Sequence, residues 1–330
     1  MLCLGIESTA HTFSCSIVER SKDKGTILSD IRSVYKAPEG SGIHPREASR
    51  HHAEQSSVVL RDAVIAAKTK FDDIDAIAYS AGPGLGPCLR VGAVVARCLA
   101  QYHKKPLVPV NHAVGHLELG MLLTGAKDPL VLLVSGGHSM ILALSDKRWR
   151  VFGETLDITI GQLLDQFGRD AGFASPCGAR IEELALKSNT YLQLPYTVKG
   201  NDVSYSGLLT AAKKSAKNHR LEDVCFSLQE TAFAMLSEAT ERALAFCNKK
   251  ELLVVGGVAA NKRLASMLRD VCKRQRTKFF VTPISYAGDC GAQIAWTGAL
   301  EFNAGIRTNV EEAFVRQSWR LDTVDIIWRN

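Results

Sequence analysis

No apolar run in this chain approaches the roughly 20 residues that a membrane-spanning helix requires. The nine cysteines, at positions 3, 15, 88, 98, 177, 225, 247, 272 and 290, form no C-x-x-C pair and are odd in number. That argues against a thiolate zinc site and a disulfide framework alike, and a reducing compartment is expected. The opening residues Met1-Leu2-Cys3-Leu4 enter a strand without the basic segment of a signal peptide, so a cytoplasmic location with no membrane partner is expected. No low-complexity linker interrupts the 330 residues, and the parts of the chain are expected to share an extensive interface. Charge is not one-sided: 40 basic against 34 acidic residues leaves +6, compatible with a polyanionic partner but short of a strongly basic nucleic-acid domain. The composition, 46% apolar and 22% charged, is globular and excludes disorder.

One more absence bears on chemistry. His112 and His116 lie four residues apart in Asn111-His112-Ala113-Val114-Gly115-His116, yet Ala113 stands where a zinc-protease helix carries its glutamate. The spacing puts both imidazoles on one helix face, able to share a metal, and Asn111 can cap a helix running toward Leu123. A peptidase would have to recruit its base from elsewhere. The pair therefore reads as part of a metal that holds or polarises a ligand, although histidines at this spacing also occur on helices that bind nothing.

The chain repeats one plan. Residues 2–7 and 12–19 read as strands joined by the polar turn Ser8-Thr9-Ala10-His11, with a third strand at 26–37. Residues 130–135, 140–144 and 149–154 repeat the pattern around Gly136-Gly137-His138-Ser139. Downstream, a strand at 75–80, the turn Gly82-Pro83-Gly84-Leu85-Gly86 and a helix at 89–102 have their counterpart in a strand at 251–255, Gly256-Gly257 and a helix from about 260 to 274. Each is followed by a further strand and helix, which sets His112 and Asp289 at equivalent points. The expected architecture is a duplicated α/β pair, about 1–128 and 129–330, with a ligand cleft between the halves. A largely helical insertion is expected at about 157–247, and the last helices are expected to pack back on the first half.

Both glycine turns suit an anion. In Val134-Ser135-Gly136-Gly137-His138-Ser139 glycines let backbone N–H groups approach phosphate oxygens, although Gly-Gly is also an ordinary hairpin. Gly256-Gly257-Val258-Ala259-Ala260-Asn261 is expected to open a helix, whose free N–H groups and dipole favour an anion. A divalent ion held by His112, His116 and Asp289 would have two nitrogen ligands and one oxygen ligand with open positions, and Fe2+ and Zn2+ both fit.

These residues resemble the Gcp/TsaD/Kae family of tRNA threonylcarbamoyltransferases, members of the actin-like ATPase (ASKHA, RNase H-like) superfamily of sugar kinases and chaperone ATPases. The resemblance runs from Gly5 to about Ala299. It rests on Gly5-Ile6-Glu7-Ser8-Thr9-Ala10-His11-Thr12, on Gly82 through Gly92, on Val110-Asn111-His112 with His116, and on Leu132-Leu133-Val134-Ser135-Gly136-Gly137. Gly153-Glu154-Thr155-Leu156-Asp157, the Gly256–Asn261 turn and Asp289-Cys290-Gly291-Ala292 complete it, and the wording is similar to the archaeal and eukaryotic branch. The resemblance implies transfer of a threonylcarbamoyl group from its adenylate to N6 of the adenosine 3′ of the anticodon, in tRNAs reading codons that begin with A. It implies metal binding by His112, His116 and Asp289. It implies contacts to ATP or threonylcarbamoyl-AMP at Leu133, Val134, Ser135, Gly136, Gly137, Asp165, Gly178, Glu182 and Asn261. Leu133, His138, Cys177, Ala179, Cys290 and Gln293 depart from the archaeal pattern, Leu133 where that branch commonly has a tyrosine near the metal.

The resemblance also implies work within a KEOPS assembly, beside a small protein-kinase-like ATPase, a small dimerising subunit and an accessory subunit. The helices at 45–68 and 89–102 are the expected docking surfaces. Two basic clusters, Lys262 to Lys278 and Lys213 to Arg220, could meet tRNA phosphates or could simply be solvated faces. An ATP-dependent binding or regulatory module and a metallopeptidase are the competing classes.

Overall fold

The chain is described by a computed structural model at residues 1–22, 24–38 and 41–329. Strand β1 (Leu2–Glu7) is an apolar run whose last five residues are buried, and it pairs antiparallel with β2 (Thr12–Ser21), which pairs antiparallel with β3 (Lys24–Val34). Helix α1 (Pro45–Ala66), started by proline in its first turn, leads to β4 (Ala76–Gly82). Helix α2 (Gly86–His103), strand β5 (Leu107–Asn111) and helix α3 (His112–Thr124) follow, giving a sheet ordered β3-β2-β1-β4-β5 with β1, β4 and β5 parallel. Pro87 in the first turn starts α2 three residues before the expected boundary, because proline there loses no hydrogen bond.

The second half builds the same sheet. Strands β6 (Leu130–Val134), β7 (Ser139–Ser145) and β8 (Arg148–Glu154) form an antiparallel meander. Helices α4 (Ile160–Asp170) and α5 (Gly178–Ala185), a two-stranded ribbon of β9 (Val198–Lys199) and β10 (Asp202–Val203), and helices α6 (Ser206–Ser215) and α7 (Leu221–Cys247) come next. Then β11 (Glu251–Val255), α8 (Lys262–Arg274), β12 (Lys278–Val281), the single turn α9 (Ile284–Ala287) and α10 (Gly291–Asn303) complete the pattern. The sheet order, β12-β11-β6-β7-β8, is that of the first sheet with β6 in the place of β1. The helix expected from about 260 starts instead at Lys262, since residues Gly257–Ala260 form a 3-10 turn.

The halves exchange their last helices. Ala113, Val114, Leu117 and Met121 of α3 pack with Leu133, Leu142, Leu253 and Val255 of the second sheet. Reciprocally, Ile294 and Ala299 of α10 pack with Cys3, Ala76, Ala78, Val108 and Val110 of the first. Both helices are apolar nearly all round, as buried helices must be. At the tightest crossing an added Cβ on Gly5 would lie 2.2 Å from the Ala295 nitrogen and 2.4 Å from the Gly291 oxygen, so only glycine lets β1 and α10 meet. Gly5→Ala is expected to cost about 1–3 kcal/mol of stability through overpacking. Gly136→Ala, which meets nothing within 4 Å, is expected to change it by less than about 0.5 kcal/mol. Urea unfolding of the two variants side by side checks the contrast.

Candidate metal centre and nucleotide turn

The exchanged helices begin at one place. Asn111 caps α3 by accepting hydrogen bonds from the Ala113 and Val114 nitrogens, which fixes His112 at the first helical position and His116 one turn on. Asp289 lies two residues before α10, next to its cap residue Cys290. His116 Nε2 stands 3.3 Å and His112 Nε2 3.6 Å from Asp289 Oδ1. One donor atom from each of the three residues falls within 4.8 Å of the others, so all three can reach a common ion.

Glu7 orients this set. Its carboxylate is fully buried at the end of β1; Oε1 accepts from the Thr9 nitrogen at 2.6 Å and Oε2 meets His112 Nδ1 at 2.9 Å. Nδ1 donates to Glu7, which leaves Nε2, facing Asp289, as the atom that could ligate an ion once its own proton is displaced. Thr9 Oγ1 at 3.3 Å and the Gln293 side-chain amide at 3.0 Å close the remaining sides of Nδ1. Burial opposes charge on His112, but the Glu7 charge and hydrogen bond, with Asp289 behind them, push its pKa up to about 9. Burial and the neighbouring His112 instead hold His116 below the usual histidine range, against the pull of Asp289. Asp289 is itself partly desolvated, but the His116 hydrogen bond and the charges of His112 and His11 hold it well below the carboxylate range. Two imidazoles and a carboxylate with an outer carboxylate on the back nitrogen make a donor set that fits a divalent ion.

Glu7 was quoted above only as part of a motif, and the signal for its role was an acid closing the apolar run Leu2–Glu7. With both oxygens engaged behind His112, it is not placed to act as the base a peptidase needs.

The expected nucleotide residues divide. Leu133 and Val134 turn their side chains into the two cores on either face of the second sheet, leaving Ser135, Gly136 and Gly137 as the accessible part of the turn. Ser135 Oγ accepts from the Gly137 and His138 nitrogens at 3.2 and 3.0 Å and shapes the loop, and Thr159 Oγ1 donates to the Gly136 oxygen. At His138, which closes this turn, burial and the charges of His112 and His116 push the pKa down to about 3, with Asp289 opposing. Val255 pairs with Leu133, so the Gly256–Gly257 turn leaves the sheet beside the Ser135 turn.

The second turn does not open a helix directly. Asn261 caps α8 by accepting from the Arg263 and Leu264 nitrogens, and Glu182 accepts from the Lys262 nitrogen at 2.8 Å. The first donors of α8 are thus occupied, and Asn261 is further held by Gln229 at 2.9 Å. Asp165 accepts from the Cys177 nitrogen at 2.7 Å next to Gly178, the first residue of α5, and burial raises its pKa. These residues knit α4, α5 and α8 together around the exposed Gly257.

The comparisons with known proteins bear on this arrangement. The sequence profile described as TsaD, tRNA N6-adenosine threonylcarbamoyltransferase, matches residues 26–296. The chain belongs to the TsaD family. It is therefore a transferase of the acyltransferase kind by family. A tRNA N6-adenosine threonylcarbamoyltransferase of Caldivirga maquilingensis is 50% identical over 99% of this chain and 98% of its own length. One of Thermofilum pendens is also 50% identical, over 99% and 97%. A "probable bifunctional tRNA threonylcarbamoyladenosine biosynthesis protein" of Methanothermobacter thermautotrophicus is 48% identical over 99% of this chain but only 61% of its own. Among solved structures, HypF of T. kodakarensis superposes with a TM-score of 0.63 at 14% identity, over 92% of this chain and 48% of that one. An activator of 2-hydroxyisocaproyl-CoA dehydratase from Clostridium difficile gives 0.56 at 12%, over 94% and 99%. This TsaD-family chain thus has the duplicated actin-like ATPase fold.

In the metal reading, Glu7→Gln removes the outer carboxylate charge and is expected to weaken binding of a divalent ion by about 10–100-fold. Titration with Co2+ followed by visible absorption checks it; unchanged affinity would detach Glu7 from the centre.

Proposed function

We propose that this chain transfers a threonylcarbamoyl group from threonylcarbamoyl-AMP to N6 of the adenosine 3′ of the anticodon, in tRNAs that read codons beginning with A. The observation that carries the proposal is the convergence of His112, His116 and Asp289 on one point in a TsaD-family chain. In the reaction the N6–carbon bond forms, the bond from carbonyl carbon to phosphate oxygen breaks, AMP departs and N6 loses a proton. No covalent bond to the protein is required.

The adenylate is assigned to the mouth between the sheets, its phosphate at the exposed Gly136 and Gly137 and its nucleoside toward Asp165, Gly178, Glu182 and Asn261. His112, His116 and Asp289 would hold one Fe2+ or Zn2+, which when bound supplies Lewis acidity toward the mixed anhydride. Glu7 keeps His112 in the tautomer that ligates, and the buried walls of α3 and α10 limit water. ATP is the other nucleotide assigned to this mouth.

The proposed setting is the cytoplasm, within a KEOPS-type assembly with a small protein-kinase-like ATPase, a small dimerising subunit and an accessory subunit. No helix among the described residues is long and apolar enough to cross a membrane. Val94, Cys98 and Tyr102 recur every four residues on α2 and are all exposed, Tyr102 to 83%, an apolar stripe left uncovered among the described residues. That stripe is the docking face proposed for a helical partner subunit. Tyr102→Glu is expected to abolish co-purification with such subunits while leaving the melting temperature within about 2 °C, the scale of a surface substitution.

The deciding experiment supplies radiolabelled threonylcarbamoyl-AMP, tRNA and the partner subunits. Label in tRNA with stoichiometric AMP is expected, and His112→Ala or Asp289→Ala should lose more than about 100-fold of the rate, the scale of removing one transition-state charge stabiliser. ADP as the product would indicate a kinase or ATPase instead, and cleavage of casein a peptidase.

A further inference from the structure

Among its described residues the segment after α10 contains no helix beyond short 3-10 turns at Val310–Glu312 and Leu321–Thr323, yet several of its apolar residues are withdrawn from water. Ala313, Leu321, Val324 and Ile326 are buried. The path runs over both halves. Thr308 bridges to Leu107 at the start of β5, and the Arg316 nitrogen donates to the Ala81 oxygen at 2.6 Å. A Cβ on Gly82, whose φ is +151°, would sit 1.9 Å from the Arg316 oxygen. Gly82, the last residue of β4, and Gly86, whose added Cβ would lie 1.8 Å from Gln317 Nε2, therefore make room for this segment, a role their motif did not suggest. Farther on, the Ile326 nitrogen donates to the Lys147 oxygen at 2.7 Å, Arg148 pairs with Asp325 at 2.7 Å and Arg320 reaches Glu154 at 3.5 Å, all on the second half.

Between those anchors the segment grips α3 twice. The Trp319 oxygen accepts from Asn111 Nδ2 at 3.0 Å, at the cap of the helix. Trp328 Nε1 donates to Glu118 Oε1 at 3.1 Å, and Arg329 Nε lies 2.9 and 3.0 Å from the two Glu118 oxygens, with its terminal nitrogen on Oε2 as well. Glu118 is fully buried and lies two residues beyond His116. Leu321, Val324 and Ile326 share one buried apolar cluster with α3 residues Ala113, Val114 and Leu117 and second-sheet residues Leu142 and Trp149.

We infer that residues 306–329 are a strap that positions the metal-bearing face of α3 between the two halves, with Trp328 and Arg329 as positioning residues acting through Glu118. Two fastenings, at Asn111 and at Glu118, bracket His112 and His116, so the strap sets where both imidazoles stand relative to Asp289. Arg329 has a second reason to be there. Glu301 of α10 is buried with one oxygen unpartnered, and burial together with the Glu118 charge pushes its carboxyl well above the usual range. Without the guanidinium, Glu118 would be an uncompensated buried charge beside another acid, which α3 can relieve only by shifting.

The strap stands on packing alone, whereas its effect on metal rests on the centre proposed above, so the test reads the two separately. Amide hydrogen exchange is recorded without metal for the full chain, Arg329→Gln, Arg329→Lys and Arg148→Ala, and Co2+ affinity is titrated for each. Arg329→Gln is expected to speed exchange across 112–121 by about tenfold or more, with elements remote from α3 unchanged. It should also weaken Co2+ by about tenfold, the lower end for groups that orient a ligand. Arg329→Lys, which keeps the charge but loses the two-pronged contact, should fall between, and supplies a milder lesion if the first variant does not fold. Arg148→Ala breaks a solvent-exposed pair that contributes little, and the Ile326–Lys147 hydrogen bond still holds that end of the strap, so neither readout should change. Unchanged exchange in α3 on Arg329→Gln, or a loss spread evenly over the chain, overturns the strap. A parent chain that binds no Co2+ overturns the metal centre and leaves the strap to be judged by exchange alone.

Discussion

A carboxylate sealed from water has to be answered by something, and Glu7 is answered by the Thr9 nitrogen and by His112. Stripping water from an ionised carboxylate costs several kcal/mol even after relaxation, by order of magnitude, and only well-aligned donors offset it. That requirement couples three elements. It holds the turn after β1 against the start of α3, it decides which imidazole nitrogen is free, and it aims that nitrogen at Asp289. The geometry of the candidate centre thus follows from satisfying one buried carboxylate, which, engaged behind His112, is not itself placed as a peptidase base.

Duplication accounts for where the centre lies. Each half carries a five-stranded sheet of the same order, and each contributes its final helix to the face of the other. The candidate ligands occupy the entry points of those two helices. A site at that point draws on both halves, so any change in their relative position alters the distance from His112 and His116 to Asp289. The segment after α10 breaks the symmetry, since it has no counterpart in the first half and binds α3 rather than α10.

Surface charge is more balanced than the composition of α8 suggests. Of the basic residues between Lys262 and Lys278, Arg263 pairs with Glu230 at 2.6 Å through its terminal nitrogen, Arg274 with Glu241 at 3.2 Å and Lys273 with Asp270 at 3.6 Å. Arg269 lies over the Phe279 ring. Lys213 of the other cluster pairs with Asp170 at 2.7 Å. Exposed pairs of this kind contribute little to stability, about 0–1 kcal/mol each, but they reduce the field these helices present to a polyanion.

The sequence alone determined the elements and their repetition, because apolar periodicity, glycine turns and caps such as Asn111 act over a few residues and leave a local trace. It also carried the histidine pair, whose spacing is itself helical geometry, and the matching position of Asp289. Tertiary structure decided what meets across long separations. Glu7 finds His112 across 105 positions, and Arg329 finds Glu118 across 211. Neither contact has a periodic signature, since each joins residues that only the tertiary packing brings together. The same holds where a local reading went astray at α8: the glycine turn looked like an open helix end, but Glu182, from a different helix, and the Asn261 cap occupy its donors. Sequence reports which groups seek partners; only packing decides which partners arrive, because burial, not adjacency, sets the free energy of pairing them.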